Sequence, residues 1–223
     1  MNDQPTVFIV DDDPAMRDSL GFLIGSVGRR AEIYASAEDF LAAYSNERPG
    51  CIVLEVRMPG LSGLELMEKL NEDRFAPPVV LVTGHGDIPM AVRALKAGAF
   101  DFIEKPFSDQ VLLERIQQAL QQDTVERSTE RDRADIERKA ARLTARETQV
   151  FELVVAGKPN KVVASDLGLS QKTVEVHRAH VMSKMFAGSL AGLVRMAVAL
   201  EVAAGEDPLE SLPSLTAGGD GGR

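Results

Sequence analysis

Thr6-Val7-Phe8-Ile9-Val10-Asp11-Asp12-Asp13 is a run of five apolar or β-branched residues that leads straight into three carboxylates. A run of that length and composition reads as a buried strand, and the acids stand at its carboxyl end. Cys51-Ile52-Val53-Leu54-Glu55-Val56-Arg57-Met58-Pro59-Gly60 repeats the pattern, an apolar strand that closes on a carboxylate and then turns. Further β-rich runs fall near 31–34, 79–83 and 101–103. Helical patterns fill the intervals near 14–27, 36–45, 63–72, 88–97 and 108–122. Five strand–helix repeats specify an α/β, doubly wound, five-stranded parallel sheet covered on both faces. In that architecture functional groups collect where the strands end, which nominates Asp11, Asp12, Glu55 and Thr83. Lys105 follows the last strand, and Pro106 biases it to extended or turn geometry.

The 223 residues are enough for two domains, and their net charge of −9 is unevenly spread. Residues 139–203 hold nine Lys/Arg against five Asp/Glu, a balance of +4, which leaves −13 for the rest. A basic module joined to an acidic one permits local phosphate binding with counterion release. The amino terminus is acidic, and no apolar run approaches the ~20 residues needed to cross a bilayer. A cytoplasmic location with no membrane partner is therefore expected. Cys51 is the only cysteine; inside an apolar strand it reads as a small core residue. Residues 123–140 are nearly all charged or polar, with Glu/Arg pairs at helical spacing, and read as a solvated helical linker able to extend the preceding helix. Residues 204–223, rich in Gly, Pro, Ser and Asp, read as a disordered tail.

The acids at the strand ends have a shared chemistry. Mg²⁺ takes hard oxygen ligands and needs only one or two carboxylates, which Asp12 and Glu55 can supply. A carboxylate can also be a nucleophile in phosphoryl transfer. Charge on the moving group then needs a cation such as Lys105 and a hydroxyl donor such as Thr83. Taken singly, acids after a strand are more often helix caps or solvated loops; their joint appearance in this order is the signal.

Asp11-Asp12, Met58-Pro59-Gly60-Leu61-Ser62-Gly63, Thr83-Gly84-His85-Gly86 and Glu104-Lys105-Pro106-Phe107 make residues 1–122 resemble a bacterial two-component receiver domain, a flavodoxin-like fold. That resemblance implies Mg²⁺ held by Asp11, Asp12, the carboxylate at 55 and the backbone carbonyl of Arg57. It implies a phosphoacceptor at 55, a sensor histidine kinase as donor, and a switch in which Thr83 and Phe102 move together. The readout face would be formed by residues 88–97 and 108–118. The family's acceptor is Asp, and this chain has Glu55. One extra methylene carries the carboxylate ~1.3 Å further, a distance to which attack geometry is sensitive. Three readings stay open: a standing charge near the phosphoryl position, a receiver that works without phosphorylation, and a slow acceptor.

Beyond the linker, residues 141–203 read as four helices at 145–156, 161–167, 171–185 and 190–203, with Gly157 and Gly168 at helix ends and Ser170 as an N-cap. The third helix puts Val174, Val181 and Met185 toward a core and leaves Lys172, Glu175, Arg178 and Ala179 to face a groove. Leu143-Thr144-Ala145-Arg146-Glu147, Gly157-Lys158-Pro159-Asn160-Lys161, Leu169 through Arg178 and Ser189 through Arg195 resemble the LuxR/NarL-type helix-turn-helix domain of the FixJ subgroup. By that resemblance Lys172, Thr173, His177, Arg178 and Lys184 contact DNA phosphates, and Glu175, Val176 and Ala179 lie toward base edges. Promoter DNA, RNA polymerase and a homodimer formed on activation are the partners implied. His177 and His180 share a helix but have no further His or Cys near them to make a metal site, and the glycines around His85 suit a receiver loop better than a catalytic base. A DNA-binding transcriptional response regulator, not an enzyme, is the favoured function. A Mg²⁺-dependent phosphatase and a pseudo-receiver adaptor that never meets DNA are the alternatives.

Overall fold

The computed structural model describes residues 4–71, 76–84 and 88–204. His85 lies outside the described residues, as does all of the tail reading beyond Ala204. Two compact units divide the chain, Met1–Ser128 and Thr129–Arg223.

The chain first alternates β1 (Thr6–Val10), α1 (Pro14–Ser26), β2 (Arg30–Tyr34), α2 (Ala37–Ala43), β3 (Gly50–Glu55), α3 (Gly63–Asn71), β4 (Val79–Thr83), α4 (Ile88–Lys96), β5 (Asp101–Glu104) and α5 (Asp109–Ala140), whose residues from Thr129 on belong to the second unit. The strands form one parallel sheet in the order β2-β1-β3-β4-β5. Alternation along the buried strands splits the core in two. Phe8, Val10, Ile52, Leu54 and Leu81 point to one face, and Val7, Ile9, Cys51, Val53, Val80 and Val82 to the other. Cys51 is therefore a core residue, as read, and burial pushes its thiol pKa well up.

Because β1 neighbours both β2 and β3, the chain reverses its winding direction there, and a crevice opens at the carboxyl ends of β1 and β3. The register aligns those ends: Val10 opposes Leu54, Glu55 opposes Val82, and Thr83 opposes Glu104. Asp11 and Lys105 come next in the chain, so all four candidate side chains issue from one edge. Gly63 allows the start of α3 to approach that edge closely. A Cβ there would lie 2.2 Å from the carbonyl oxygen of Glu55, which no side chain tolerates.

Helix α5 is longer than the pattern over 108–122 indicated, because the charged segment 123–140 continues it. Its first residue there is not solvated. Asp123 is 3% exposed; it accepts the Gly50 amide at 2.9 Å and the Arg127 Nε at 2.8 Å. Arg127 spends its other two nitrogens on the carbonyls of Asn46 at 2.7 Å and Arg48 at 3.1 Å.

The second unit contains α6 (Ala145–Val155), α7 (Asn160–Leu167), α8 (Gln171–Lys184) and α9 (Leu190–Ala204). Val150, Val154, Val163, Val174, Val181, Met185 and Leu193 form its core, and Ile136 and Ala140 pack against it. Gly168 ends α7 in the left-handed conformation, φ 65 and ψ 37, which costs glycine nothing. Ser170 caps α8 by accepting the Thr173 amide at 3.1 Å. Phe186, 67% exposed, has an explanation the sequence did not offer: the Lys139 ammonium sits 5.5 Å above its ring.

Candidate functional site

Lys105 organises the crevice of the first unit. Its ammonium donates to Asp11 Oδ2 at 2.9 Å and to Glu55 Oε2 at 2.8 Å. Glu55 Oε1 takes the Arg57 amide at 3.0 Å, and the fully buried Thr83 hydroxyl bonds the same carboxylate. Asp11 Oδ1 is occupied by the Asp13 amide at 2.9 Å. Burial pushes the Glu55 carboxyl up, but the bonds from Lys105, Thr83 and Arg57 outweigh it and leave its pKa below the usual value. Burial likewise pulls Lys105 down, and the bonds to Asp11 and Glu55 outweigh that, raising its pKa. Both groups are thus held charged at neutral pH.

Of the residues expected to hold Mg²⁺, Asp11 and Glu55 converge, whereas Asp12 stands exposed. Among the described residues no three acidic, histidine or cysteine side chains group as a metal centre. The donors are hard oxygens, as Mg²⁺ requires, but those of Asp11 and Glu55 are committed to Lys105 and to backbone amides. As arranged, the set does not fit an octahedral cation. Phe102 is half-buried against the core on the α3 side of the sheet.

In the second unit, α7 and α8 are joined across the Gly168 turn. Lys172, Glu175, Val176 and Ala179 lie exposed along α8, and Thr173, His177 and Arg178 are half-buried beside them. Arg178 donates to Asn160 Oδ1 at 3.1 Å. The Nδ1 of His177 is buried without a hydrogen-bond partner among the described residues. Lys184, expected among the phosphate contacts, is engaged within the unit: its ammonium lies 2.6 Å from Glu147 Oε2.

Glu147 is 4% exposed and was not singled out from the sequence. It also closes a capping box, accepting the Thr144 amide at 2.8 Å while Thr144 Oγ1 accepts the Glu147 amide at 3.3 Å. The bond from Lys184, with that from the Thr144 amide, brings its pKa down to about 2. The Thr-x-x-Glu spacing could have revealed the cap. Nothing local could have revealed a partner 37 residues away.

Comparison with known proteins matches each of the two units to a family. Residues 7–117 match the response regulator receiver domain, and residues 141–197 match the bacterial regulatory proteins of the luxR family. The chain is 48% identical over 194 residues to the transcriptional regulatory protein FixJ of Rhizobium meliloti, covering 87% of this chain and 95% of that protein. It is 44% identical over 198 residues to nodulation protein W of Bradyrhizobium diazoefficiens, covering 89% and 87%. Among solved structures, response regulator StyR superimposes with a TM-score of 0.81 at 44% identity, covering 87% of this chain and 98% of that one. Full-length FixJ from B. japonicum gives 0.53 at 42% identity, covering 89% and 98%. Receiver domains generally bind Mg²⁺ at their phosphorylation site, and no helix among the described residues is long and apolar enough to cross a membrane. The chain belongs to the FixJ-type response regulators, two-component transcriptional regulators that join a receiver to a LuxR-family helix-turn-helix DNA-binding domain.

Proposed function

We propose that this chain is a cytoplasmic regulator of transcription whose receiver runs on a built-in carboxylate, Glu55, in place of a phosphoryl group taken from a sensor histidine kinase. One observation supports this reading: Glu55 already engages Lys105 at 2.8 Å together with the Thr83 hydroxyl. Those are the two groups that a phosphoryl group at this position would need. The mimicry is partial, since Glu carries one charge and two oxygens where a phosphoryl group brings a charge of about −1.5 to −2 and three. Lys105 neutralises Asp11 and Glu55, so the state needs no Mg²⁺. Holding Thr83 biases the receiver toward one of its two packings. The face of α4, β5 and the first turns of α5 then pairs with a second copy. Dimerisation matches two α8 helices to two half-sites of promoter DNA, where RNA polymerase is engaged.

The test compares this chain with Glu55→Asp, each with and without acetyl phosphate and Mg²⁺. It measures mass by light scattering and binding to a duplex that the chain selects from a random-sequence pool. A chain that is dimeric and bound without phosphodonor, beside an Asp form that needs it, supports the proposal. A chain monomeric under both conditions, beside a responsive Asp form, means that Glu55 locks the switch off. Binding to no duplex favours an adaptor, and turnover of small phosphoesters a phosphatase.

A further inference from the structure

Asn160 is the first residue of α7, yet its side chain caps nothing. The N-cap position is Pro159, and no side-chain bond closes that helix start. Instead Asn160 Oδ1 accepts from Arg178, 18 residues further on in α8. Arg178 follows Val174 by four positions and precedes Val181 by three, and both valines are buried. At that spacing its stem leaves α8 along the core side, which brings the guanidinium to α7 and leaves it half-buried.

The chemistry of the acceptor matters. A guanidinium has five N–H donors, and one neutral amide oxygen takes a single one. Four donors and the whole positive charge remain for an incoming anion. A carboxylate at position 160 would hold the guanidinium as firmly and cancel that charge. A free arginine would keep the charge, but would have to give up its rotamer freedom on each binding event. Asparagine is the choice that aims an arginine without neutralising it.

We infer that Asn160 is a positioning residue for DNA binding, presenting the Arg178 guanidinium, already ordered, to a phosphate of the duplex backbone. The inference rests on the reading of Arg178 as a phosphate contact. It makes that contact a joint product of α7 and α8, and its effect is sequence-independent, because phosphates carry no base identity.

The experiment is a double-mutant cycle in the full chain, read as affinity and salt dependence on a duplex selected from a random-sequence pool by the unaltered protein. Arg178→Ala should weaken binding and flatten the slope of log affinity against log salt by about one phosphate contact. Asn160→Ala should weaken binding about threefold to tenfold, and should cost nothing further once Arg178 is already Ala. Asn160→Asp should weaken binding and flatten the slope as Arg178→Ala does. If Asn160→Ala costs the same with and without Arg178, or if Asn160→Asp binds like the parent, Asn160 is merely structural and the inference fails while the DNA interface stands. If Arg178→Ala binds like the parent, or no duplex is selected, the underlying reading fails first.

Discussion

Glu55 and Lys105 form an ion pair at 2.8 Å in which the two side chains are only 8% and 18% exposed. Removing the charge while keeping the shape isolates its contribution. Glu55→Gln leaves Asp11 as the one carboxylate beside Lys105 among those it bonds here, and should cost about 1–3 kcal/mol of receiver stability. It should also abolish donor-independent dimerisation. Urea unfolding and light scattering check the two effects separately, and a dimer that survives the substitution would exclude the charge as its cause.

The same pair sets a pH dependence with two limbs. Glu55 is lowered on folding, so its contribution is present above the ordinary Glu pKa and is lost as pH falls through the folded value. Lys105 is raised, so its contribution is present below the ordinary Lys pKa and is lost as pH rises through the folded value. The melting temperature of the receiver should fall at both extremes. In Glu55→Gln the acid limb should become shallower.

Glu147 provides a sharper acid window in the helical unit. With a folded pKa of about 2 against an ordinary 4.5, its stabilisation is full above pH 4.5 and disappears as pH falls toward 2. Glu147→Ala removes the acceptor of the Thr144 amide and the Lys184 bond together, and should cost about 1–3 kcal/mol at neutral pH. Helical signal followed against denaturant reads the loss. Thr144→Ala should cost about 1 kcal/mol, since it leaves Lys184 paired.

Asp123 lies in a stretch whose composition suggests an indifferent solvated helix, so Asp123→Ala ought on composition alone to be neutral. The structure predicts otherwise. The substitution strands the Gly50 amide and takes a partner from Arg127, and should cost about 2–4 kcal/mol. Glu137→Ala, on the same helix but with a side chain 45% exposed and paired with Arg133 four residues away, should cost less than about 0.5 kcal/mol.

These contrasts mark where the sequence was legible. Apolar runs such as Val79–Thr83 and Gly50–Glu55 announced their strands because strands buried on both faces need continuous hydrophobic residues. The rule about strand ends nominated Asp11, Glu55 and Thr83, which gather beside Lys105, and also Asp12, which stands exposed. The half-exposed strand β2, at the sheet edge, was still found to within one residue. What the sequence concealed were polar side chains whose partners lie far along the chain: Asp123 with Gly50, 73 residues apart, and Lys184 with Glu147. A buried carboxylate and a solvated one look identical until the partner is placed. The bonds from Lys105 to Asp11 and Glu55, 94 and 50 residues apart, were hidden for the same reason.

The tie between Glu147 and Lys184 alters how a mutational map of the DNA-binding unit should be read. A selection for lost promoter occupancy would return substitutions at Thr144 and Glu147 beside those at Arg178, although the first two lie on α6 or its cap and not on α8. A footprint inferred from phenotype alone would therefore be drawn too wide. Only scoring occupancy against the folded fraction of each variant would shrink it to the residues that meet the duplex.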